Sequence, residues 1–465
     1  MKRRNFIKTS GVAVVATGLT GGSIPGFAVI HPSPEYDKYG GWKGKKFKAT
    51  GFFRVEKDNR WWLVTPKGNA FISFGINHYH QGWWAADYNR DFWLKKFGAK
   101  QVGDENWDKG FQKMALGDME MLGLNTFGVH TDAPSLTEPP LGPVMPYVRR
   151  YEPIILSHYK NPKHIDIFEP AFEKQCKDAA IKMAGPYVND PMILGYCMSD
   201  LPSMTDADAE IYKSTTWPRE LRNKGENSEG KKAWMKTILK RYKDVSEFNT
   251  VYETDFKNWD ELSKAENWRP SKAAQNKKED ADNIAFLKKC VDRYYSVAKA
   301  ELRKVDNNHL FFGDKLFAET DSLEIVIDIT SKYTDLVCYQ SYARWKDQEE
   351  LLNRLVSRIK LPFLNGDSNY ATPTEMLPNP YGRHAKSHAE RAEWMREFCE
   401  GAFPREEFVG WHLCGIIDTW KTMPTKEIYQ QQGIMSVTGE IYPNEVNLIK
   451  DVSERLYELA NSNYQ

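Results

Sequence analysis

The sequence predicts a (β/α)8 barrel, an α/β fold, with a β-hairpin at its N-terminal side. Eight short apolar segments of the kind found in buried strands alternate with segments of helical periodicity. No long internal repeat accompanies the alternation. The 465 residues exceed one minimal domain but suit one barrel with insertions. A doubly wound parallel sheet is the second choice for the same pattern.

The predicted strands are short apolar runs that end in polar or glycine-containing turns. Residues 51–56 and 61–65 flank a polar turn at 57–60 and are predicted to pair as the hairpin. The barrel strands are then predicted at 70–78, 124–130, 143–148, 192–198, 309–314, 334–340, 361–370 and 407–414.

Helical periodicity fills the segments between these strands. We predict helices around 107–121, 172–188, 281–305 and 448–460, the first ending at a C-cap glycine, Gly123. Residues 201–278 are rich in Lys, Glu and Trp and show no strand pattern. They are predicted to form a long insertion after the fourth strand.

Two aspartates follow predicted strands that are far apart in the chain. Asp200 ends the fourth strand, and Asp367 follows Gly366 near the end of the seventh. The C-terminal ends of barrel strands meet at one mouth, where active sites are built. Two carboxylates there can flank a glycosidic bond, one as proton donor and the other as nucleophile or base. The structural alternative is a pair of helix caps or salt-bridge partners.

Three stretches carry a family resemblance. They are GFFR at 51–54 with WWLVTPKGNAFISFG at 61–75, ILGYCMSDLP at 193–202 and GIMSVTGEIYP at 433–443. These stretches resemble the corresponding segments of agarase-like glycoside hydrolases of clan A. The resemblance covers roughly residues 50–460 in its order of strands and helices. The resemblance implies hydrolysis of a galactan or its oligosaccharides, with Asp200 as general acid and Asp367 as nucleophile or base.

The chain departs from that family at both catalytic positions. Those enzymes usually carry Asn-Glu after strand four and Glu after strand seven, whereas this chain has Ser199-Asp200 and Asp367. Aspartate is one methylene shorter, so we expect a wider gap between the carboxyl groups. A wider gap leaves room for water and favours inversion of configuration.

Aromatic and polar residues at the strand ends fit a sugar-binding cleft. Sugars stack on aromatic rings and offer hydroxyls to polar side chains. The predicted substrate-binding residues are Asn77, His78, Trp83, His130, Tyr339, Tyr342, Trp345 and Trp411. Core packing is the alternative for each ring, Trp411 especially. Lys315, Arg344, Lys346, Arg383 and His384 would suit an acidic or sulfated glycan, unless they are solvated surface charges.

Two other classes of function compete with hydrolysis by carboxylates. A metal-dependent hydrolase is suggested by His78 and His80, with His130 and Asp132 as further ligands. That chemistry also requires histidines after strands five and six, where Asp314 and Gln340 stand. We therefore expect no metal and no cofactor. The other competitor is a glycan-binding barrel without activity, since the usual glutamate pair is missing.

The N-terminal residues 1–28 are predicted to be a twin-arginine signal peptide, with Arg3 and Arg4 ahead of a glycine-rich apolar region. The mature chain, 29–465, is then a single catalytic domain in the periplasm or medium, without stable membrane insertion. A net charge of +1 implies no nucleic-acid partner. Folding before export occurs in a reducing compartment, so the six cysteines are expected to be free. The sequence does not define an oligomeric state.

Overall fold

The computed structural model describes residues 35–270, 272–422 and 428–464. At its centre is a closed barrel of eight parallel strands, in which the first strand pairs with the second and the eighth. The strands are Ser73–Ile76, Thr126–Phe127, Tyr147–Arg150, Ile193–Asp200, Leu310–Phe317, Val337–Gln340, Phe363–Ser368 and Phe408–Leu413. The predicted (β/α)8 barrel is confirmed, and the doubly wound sheet is excluded because the sheet closes.

Burial explains the near-continuous apolar character of these strands. Every residue of Ile193–Asp200 and Leu310–Phe317 is buried, as expected for parallel strands covered on both faces. The third strand begins later than predicted, at Tyr147. Pro143 and Pro146 precede it and lack the N–H groups that a ladder requires.

Helices surround the barrel. The helix Glu105–Leu122 shows why they begin and end where they do: the Asp104 side chain accepts from Trp107 N, and Gly123 ends it at φ 66°. The predicted C-cap is thus confirmed. The predicted closing helix is two helices, because the backbone turns at Arg455. The outer helices are Gln81–Trp84, Arg90–Phe97, Glu105–Leu122, Pro134–Thr137, Pro170–Met183, Lys277–Val305, Ser322–Thr330, Trp345–Val356, His388–Ala402, Pro443–Glu454 and Leu456–Asn461, with 3-10 turns at His158–Lys160, Gly185–Tyr187 and Ser462–Tyr464.

The segment after the fourth strand is helical. It contains Asp206–Ile211, Trp217–Leu221, Glu229–Ile238, Val245–Tyr252 and Trp259–Lys264, and its described residues contain no strand. A buried ion cluster ties it to the long helix Lys277–Val305. Glu279 Oε1 lies 2.9 Å from Arg222 NH1 and 3.0 Å from Arg269 Nε. Pairing satisfies these charges, which would otherwise be costly to bury.

A four-stranded antiparallel sheet precedes the barrel, in the order Trp42–Lys46, Asn69–Phe71, Trp61–Val64 and Arg54–Lys57. The predicted hairpin is confirmed, with Val55 opposite Leu63. The predicted first barrel strand, 70–78, is in fact divided: its beginning pairs in this sheet, and the barrel strand itself is Ser73–Ile76.

Arg60 joins this sheet to the other end of the chain. Its guanidinium is fully buried and donates to the carbonyl oxygens of Phe403, Phe408 and Ala460, the first at 2.7 Å. The ring of Trp62 lies 5.0 Å away. Because Phe408 begins the eighth strand, these contacts lie at the N-terminal end of the barrel, opposite the predicted mouth.

Two short ribbons, Tyr370–Ala371 with Arg383–His384 and Thr419–Thr422 with Ile428–Gln431, follow strands seven and eight. All six cysteines are buried and unpaired, which confirms the predicted free thiols. Among the described residues, no helix combines the length and apolarity that a bilayer crossing requires. The predicted signal peptide lies outside the described residues.

Candidate active site

Asp200 and Asp367 meet at the C-terminal end of the barrel. Asp200 is the last residue of the fourth strand, and Asp367 is the second-last residue of the seventh. Both are buried, with exposed fractions of 6% and 1%. Lys315, on the fifth strand, is the register partner of Asp200 and is also fully buried. Parallel neighbours in register point to the same face, so both enter the same space.

The ammonium group of Lys315 lies between the two carboxylates. Its Nζ is 3.0 Å from Asp200 Oδ1 and pairs directly with Asp367 Oδ2. A carboxylate oxygen of Asp200 and one of Asp367 lie within 4.8 Å of each other. The sequence predicted a wide gap that leaves room for water. Instead, the lysine ammonium occupies the space between these oxygens.

This arrangement keeps both carboxylates ionised. Burial alone would raise the pKa of Asp200, but the charge of Lys315 and the contact with His130 outweigh it and hold the pKa well below its usual range. Burial opposes ionisation of Asp367 in the same way, and Lys315 and His78 again lower its pKa. Burial would lower the pKa of Lys315, yet the two carboxylates raise it. Asp200 is therefore not a proton donor at neutral pH.

Two histidines border the carboxylates. His130 Nε2 lies 3.2 Å from Asp200 Oδ2 and 3.1 Å from Lys315 Nζ. Burial and the lysine charge lower the pKa of His130 to about 3, so its ring is neutral. His78 Nε2 lies 3.6 Å from Asp367 Oδ2. The ring of His78 is stacked between Trp83 and His130, with centroids 4.6 and 4.7 Å away.

The backbone is strained at three of the residues around this cluster. His78, His130 and Leu201 have φ values of 67°, 65° and 46°, in the left-handed region that non-glycine residues rarely adopt. They follow the first, second and fourth barrel strands. Such strain persists only where the surroundings impose it, and it is concentrated at functional sites.

The cluster forms the floor of a pocket of about 280 Å³. Among the predicted binding residues, His78, Trp83, His130 and Tyr342 line it, together with Asp200 and Asp367. The sequence missed several lining residues: Arg150, His158, Tyr159, Tyr381 and Cys414. His158 and Tyr159 lie in a 3-10 turn between strands, where neither strand nor helix periodicity marks a side chain.

Four predicted binding residues do not line the pocket. Tyr339 is fully buried and hydrogen-bonds Gln348, while Trp345 packs edge-on against Phe398 at 5.7 Å. The ring of Trp411 is buried beside Phe74 and donates to Ser368 Oγ at 2.9 Å. Tyr339 and Trp411 are thus part of the core, and the half-buried Trp345 packs against it. Asn77 is also fully buried, and its Nδ2 donates to Gly366 O at 2.8 Å, so it supports the strand that carries Asp367.

Three of the five basic residues suggested for an acidic glycan pair with carboxylates of this chain. Lys315 contacts the two aspartates, Arg344 pairs with Glu397, and Arg383 lies 3.9 Å from Glu319. The positive side chains that do line the pocket are Arg150 and Lys160.

The donor set does not fit a resident metal. His130, Asp200 and Asp367 bring ligand atoms together, as do His78, Asp367 and Cys414, but the Lys315 ammonium already pairs with both carboxylates, and a metal would have to displace it. His80 Nδ1 accepts from Gly82 N, which turns that nitrogen to a helix N-terminus. Asp132, the remaining suggested ligand, pairs with Arg150 at 3.2 Å.

Comparison with known proteins gives one curated relative and several solved structures. No protein-family model matches the sequence. β-Agarase B of Vibrio sp. (strain JT0107) is 24% identical over 485 residues, which cover 90% of this chain and 50% of that protein. The chain thus spans about half the length of this relative.

Solved structures, two of them of agarases, share the fold. An exo-β-agarase superposes with a TM-score of 0.74 at 20% identity, covering 93% of this chain and 69% of that one. The agarase AgWH50C has a TM-score of 0.74 at 18% identity, covering 92% of this chain and 68% of that one. The structure of BpGH50 has a TM-score of 0.65 at 19% identity, covering 93% of this chain and 88% of that one. The chain therefore shares its overall fold with these structures.

Proposed function

We propose that this protein is an agarase-like glycoside hydrolase that cleaves a galactan or its oligosaccharides. The observation that carries the proposal is the convergence of Asp200 and Asp367 on one pocket from the ends of strands four and seven. Barrel enzymes build their active sites at this mouth, and glycoside hydrolysis needs an ionised carboxylate at the anomeric carbon. Similarity to β-agarase B and the agarase structures supports the substrate class.

Asp367 is the group suited to act at the anomeric carbon. It is ionised, and Lys315 and His78 hold its Oδ2. Its Oδ1 is buried and has no hydrogen-bond partner among the residues that the structure describes. Asp367 lines the pocket as an ionised carboxylate, the form that attacks carbon or deprotonates a water molecule.

The pocket walls supply contacts of the kind that sugars use. Trp83 and the stacked ring of His78 form an aromatic wall, and the Tyr342 hydroxyl accepts from Gln340 Nε2 at 2.9 Å. Arg150 lies on the side of His130, 3.3 Å from its Nδ1. Aromatic faces bind the C–H faces of sugars, while the hydroxyl and guanidinium groups bind their oxygens.

The twin-arginine motif supports a further part of the proposal, export to the periplasm or medium. A polysaccharide too large to enter the cell is cleaved outside it, which agrees with this location.

Glycan binding without hydrolysis is the second candidate, and Lys315 is the observation that favours it. An ammonium group paired with both carboxylates stabilises their ionised forms and removes Asp200 as a proton donor. A site of this kind can bind a sugar without cleaving it.

A reducing-end assay over algal and plant galactans, with calorimetric binding in parallel, tests the proposal. We expect the wild type to release reducing ends and Asp367→Asn to lose at least about a hundredfold in rate. Asp328→Asn, a matched change at an exposed aspartate paired with Arg358, should leave the rate unchanged. Binding of a galactan with no release by the wild type would favour the glycan-binding candidate, and neither binding nor release would overturn both.

A further inference from the structure

Cleavage of a glycosidic bond requires a proton for the leaving oxygen. Asp200 does not hold one, because Lys315 and His130 keep its carboxylate ionised. His130 does not hold one either, because burial and the lysine charge leave its ring neutral. The donor must therefore be another pocket residue on the Asp200 side of the site, opposite the group that acts at carbon.

His158 has the position and the hydrogen-bonding pattern of such a donor. It lies in the 3-10 turn His158–Lys160, lines the pocket and has a side chain 17% exposed. Its Nδ1 is 3.2 Å from the carbonyl oxygen of Asp200 and 4.0 Å from Asp200 Oδ2. A carbonyl oxygen only accepts, so this contact places a hydrogen on Nδ1.

The other ring nitrogen of His158 is the one available to a substrate. Among the residues described, none hydrogen-bonds Nε2. The groups that face the ring are the ionised Asp200 and the rings of Tyr159 and Tyr212, whose centroids lie 5.5 and 4.9 Å away. Lys160, which follows in the turn, is paired with Glu152. An imidazolium here would have Asp200 as its counter-ion and a free Nε2–H.

We propose that His158 is the catalytic acid of this site and that Asp200 is its positioning residue. The inference rests on the proposed hydrolase function. The Nε2 proton passes to the glycosidic oxygen as the bond between that oxygen and the anomeric carbon breaks, and the oxygen keeps the electron pair. Asp367 either bonds to the anomeric carbon or takes a proton from the water that does so. In both routes His158 is left neutral with its hydrogen on Nδ1.

His78 is less suited to this role. Its Nε2 lies beside Asp367 Oδ2 and 3.7 Å from Cys414 Sγ, on the side of the group that acts at carbon. A proton donor has to reach the leaving oxygen, which points away from that group. His158 is joined to Asp200, across the Lys315 ammonium from Asp367.

Substrates that differ in their need for acid catalysis test the role. A galactan oligosaccharide needs a proton on its leaving oxygen, whereas a dinitrophenyl galactoside leaves without one. His158→Asn is the variant to use, because the Asn amide can still donate to the Asp200 carbonyl. We expect a loss of at least about a hundredfold on the oligosaccharide but less than about threefold on the aryl galactoside. His388→Asn is the matched control, since its Nδ1 contacts Glu445 at 2.7 Å outside the pocket, and it should lose activity on neither substrate.

The same substrates applied to Asp200→Asn separate the two possible acids. If Asp200 is the positioning residue, Asp200→Asn also loses more activity on the oligosaccharide than on the aryl galactoside, but the difference is smaller than for His158→Asn. If Asp200→Asn loses activity on the oligosaccharide alone while His158→Asn keeps full activity, His158 is not the acid. The proposed hydrolase function would still stand. Failure of the wild type on both substrates overturns the proposed function, and the assignment with it.

Nitrogen-15 NMR of the wild-type protein shows which ring nitrogen of His158 carries the hydrogen. A variant is needed only to identify the resonance. The neutral His158 ring should carry its hydrogen on Nδ1, with the resonance identified by its absence in His158→Asn or, if that variant does not fold, in His158→Gln. A neutral ring with the hydrogen on Nε2 would overturn the proposal, because Nδ1 would then repel the Asp200 carbonyl.

Discussion

The ammonium nitrogen of Lys315 lies 3.0 Å from a carboxylate oxygen of Asp200, its register partner on the neighbouring strand. The same nitrogen pairs with Asp367, so one buried cation is shared by two buried anions. The three groups together carry one net negative charge, and the two carboxylates differ in their surroundings. Asp200 is next to His130 and His158, and Asp367 is next to His78.

Removing the cation should destabilise the fold. Lys315→Met leaves two buried carboxylates without their partner, and we expect a loss of about 3–5 kcal/mol in the free energy of unfolding. Urea denaturation measures it. Lys113→Met, at an exposed position of the helix Glu105–Leu122, is the control and should change stability by less than about 0.5 kcal/mol.

The charge origin of that loss can be separated from a packing origin. Adding Asp200→Asn and Asp367→Asn to Lys315→Met removes the uncompensated charges. We expect the triple variant to recover most of the stability. If it is no more stable than Lys315→Met, the aliphatic stem of the lysine, not its charge, supports the site.

Gly366 should not tolerate a side chain. A Cβ at this position would lie 2.5 Å from Cys338 Sγ and 3.5 Å from the stem of Lys315. Gly366→Ala should therefore cost about 1–3 kcal/mol by overpacking and displace Asp367. Gly117→Ala is the control, because nothing lies within 4 Å there and the helix should gain about 0.5–1 kcal/mol. Equal melting temperatures for the two variants would contradict the close approach.

Asp418 should make stability fall as the pH rises. Burial raises its pKa to about 6, although Tyr442 OH and Gly433 N donate to it, and Arg391 and His388 also face it. Between about pH 4 and pH 6 the folded protein keeps a proton that the unfolded chain has released, so raising the pH favours unfolding.

Asp418→Asn removes this titration. As the pH rises across that window, the melting temperature of Asp418→Asn should rise relative to that of the wild type. The corresponding difference in the free energy of unfolding is up to about 3 kcal/mol. Asp328→Asn, at an exposed position, should show no such trend. A difference that is constant between pH 4 and pH 7 would mean that Asp418 is ionised throughout.

Export should depend on the two arginines near the N-terminus. Changing both Arg3→Lys and Arg4→Lys keeps the charge but removes the pattern that the translocase for folded proteins reads. We expect precursor to accumulate in the cytoplasm, measured by cell fractionation. Lys8→Arg, which also keeps the charge, should be exported normally, and normal export of the double variant would contradict the assignment.

The sequence predicted the barrel well because strands buried on both faces must be apolar over their whole length. It predicted the positions of Asp200 and Asp367 because barrel geometry directs strand ends to one mouth. It did not predict that Lys315 pairs with both. The fifth strand extends to Phe317, three residues beyond the predicted end at Asp314, and only the register of neighbouring strands brings Lys315 beside Asp200.

The pocket walls were harder to predict. Trp345 and Trp411 have the composition expected of a sugar-binding cleft, but aromatic rings serve a core equally well, and only the packing tells the two apart. His158 lies in a loop, and its contact with Asp200 depends on the path of the chain between two residues that are 42 positions apart. No local periodicity encodes such a contact.

Arg60 makes the fold depend on synthesis of the chain as far as Ala460. Its buried guanidinium needs the carbonyl oxygen of Ala460, 400 residues later in the chain, as well as those of Phe403 and Phe408. A chain that stops before the last helix leaves part of this cation without partners in an apolar interior. Chains truncated before Ala460 should therefore remain open to proteases, because the base of the barrel closes only when that carbonyl is present.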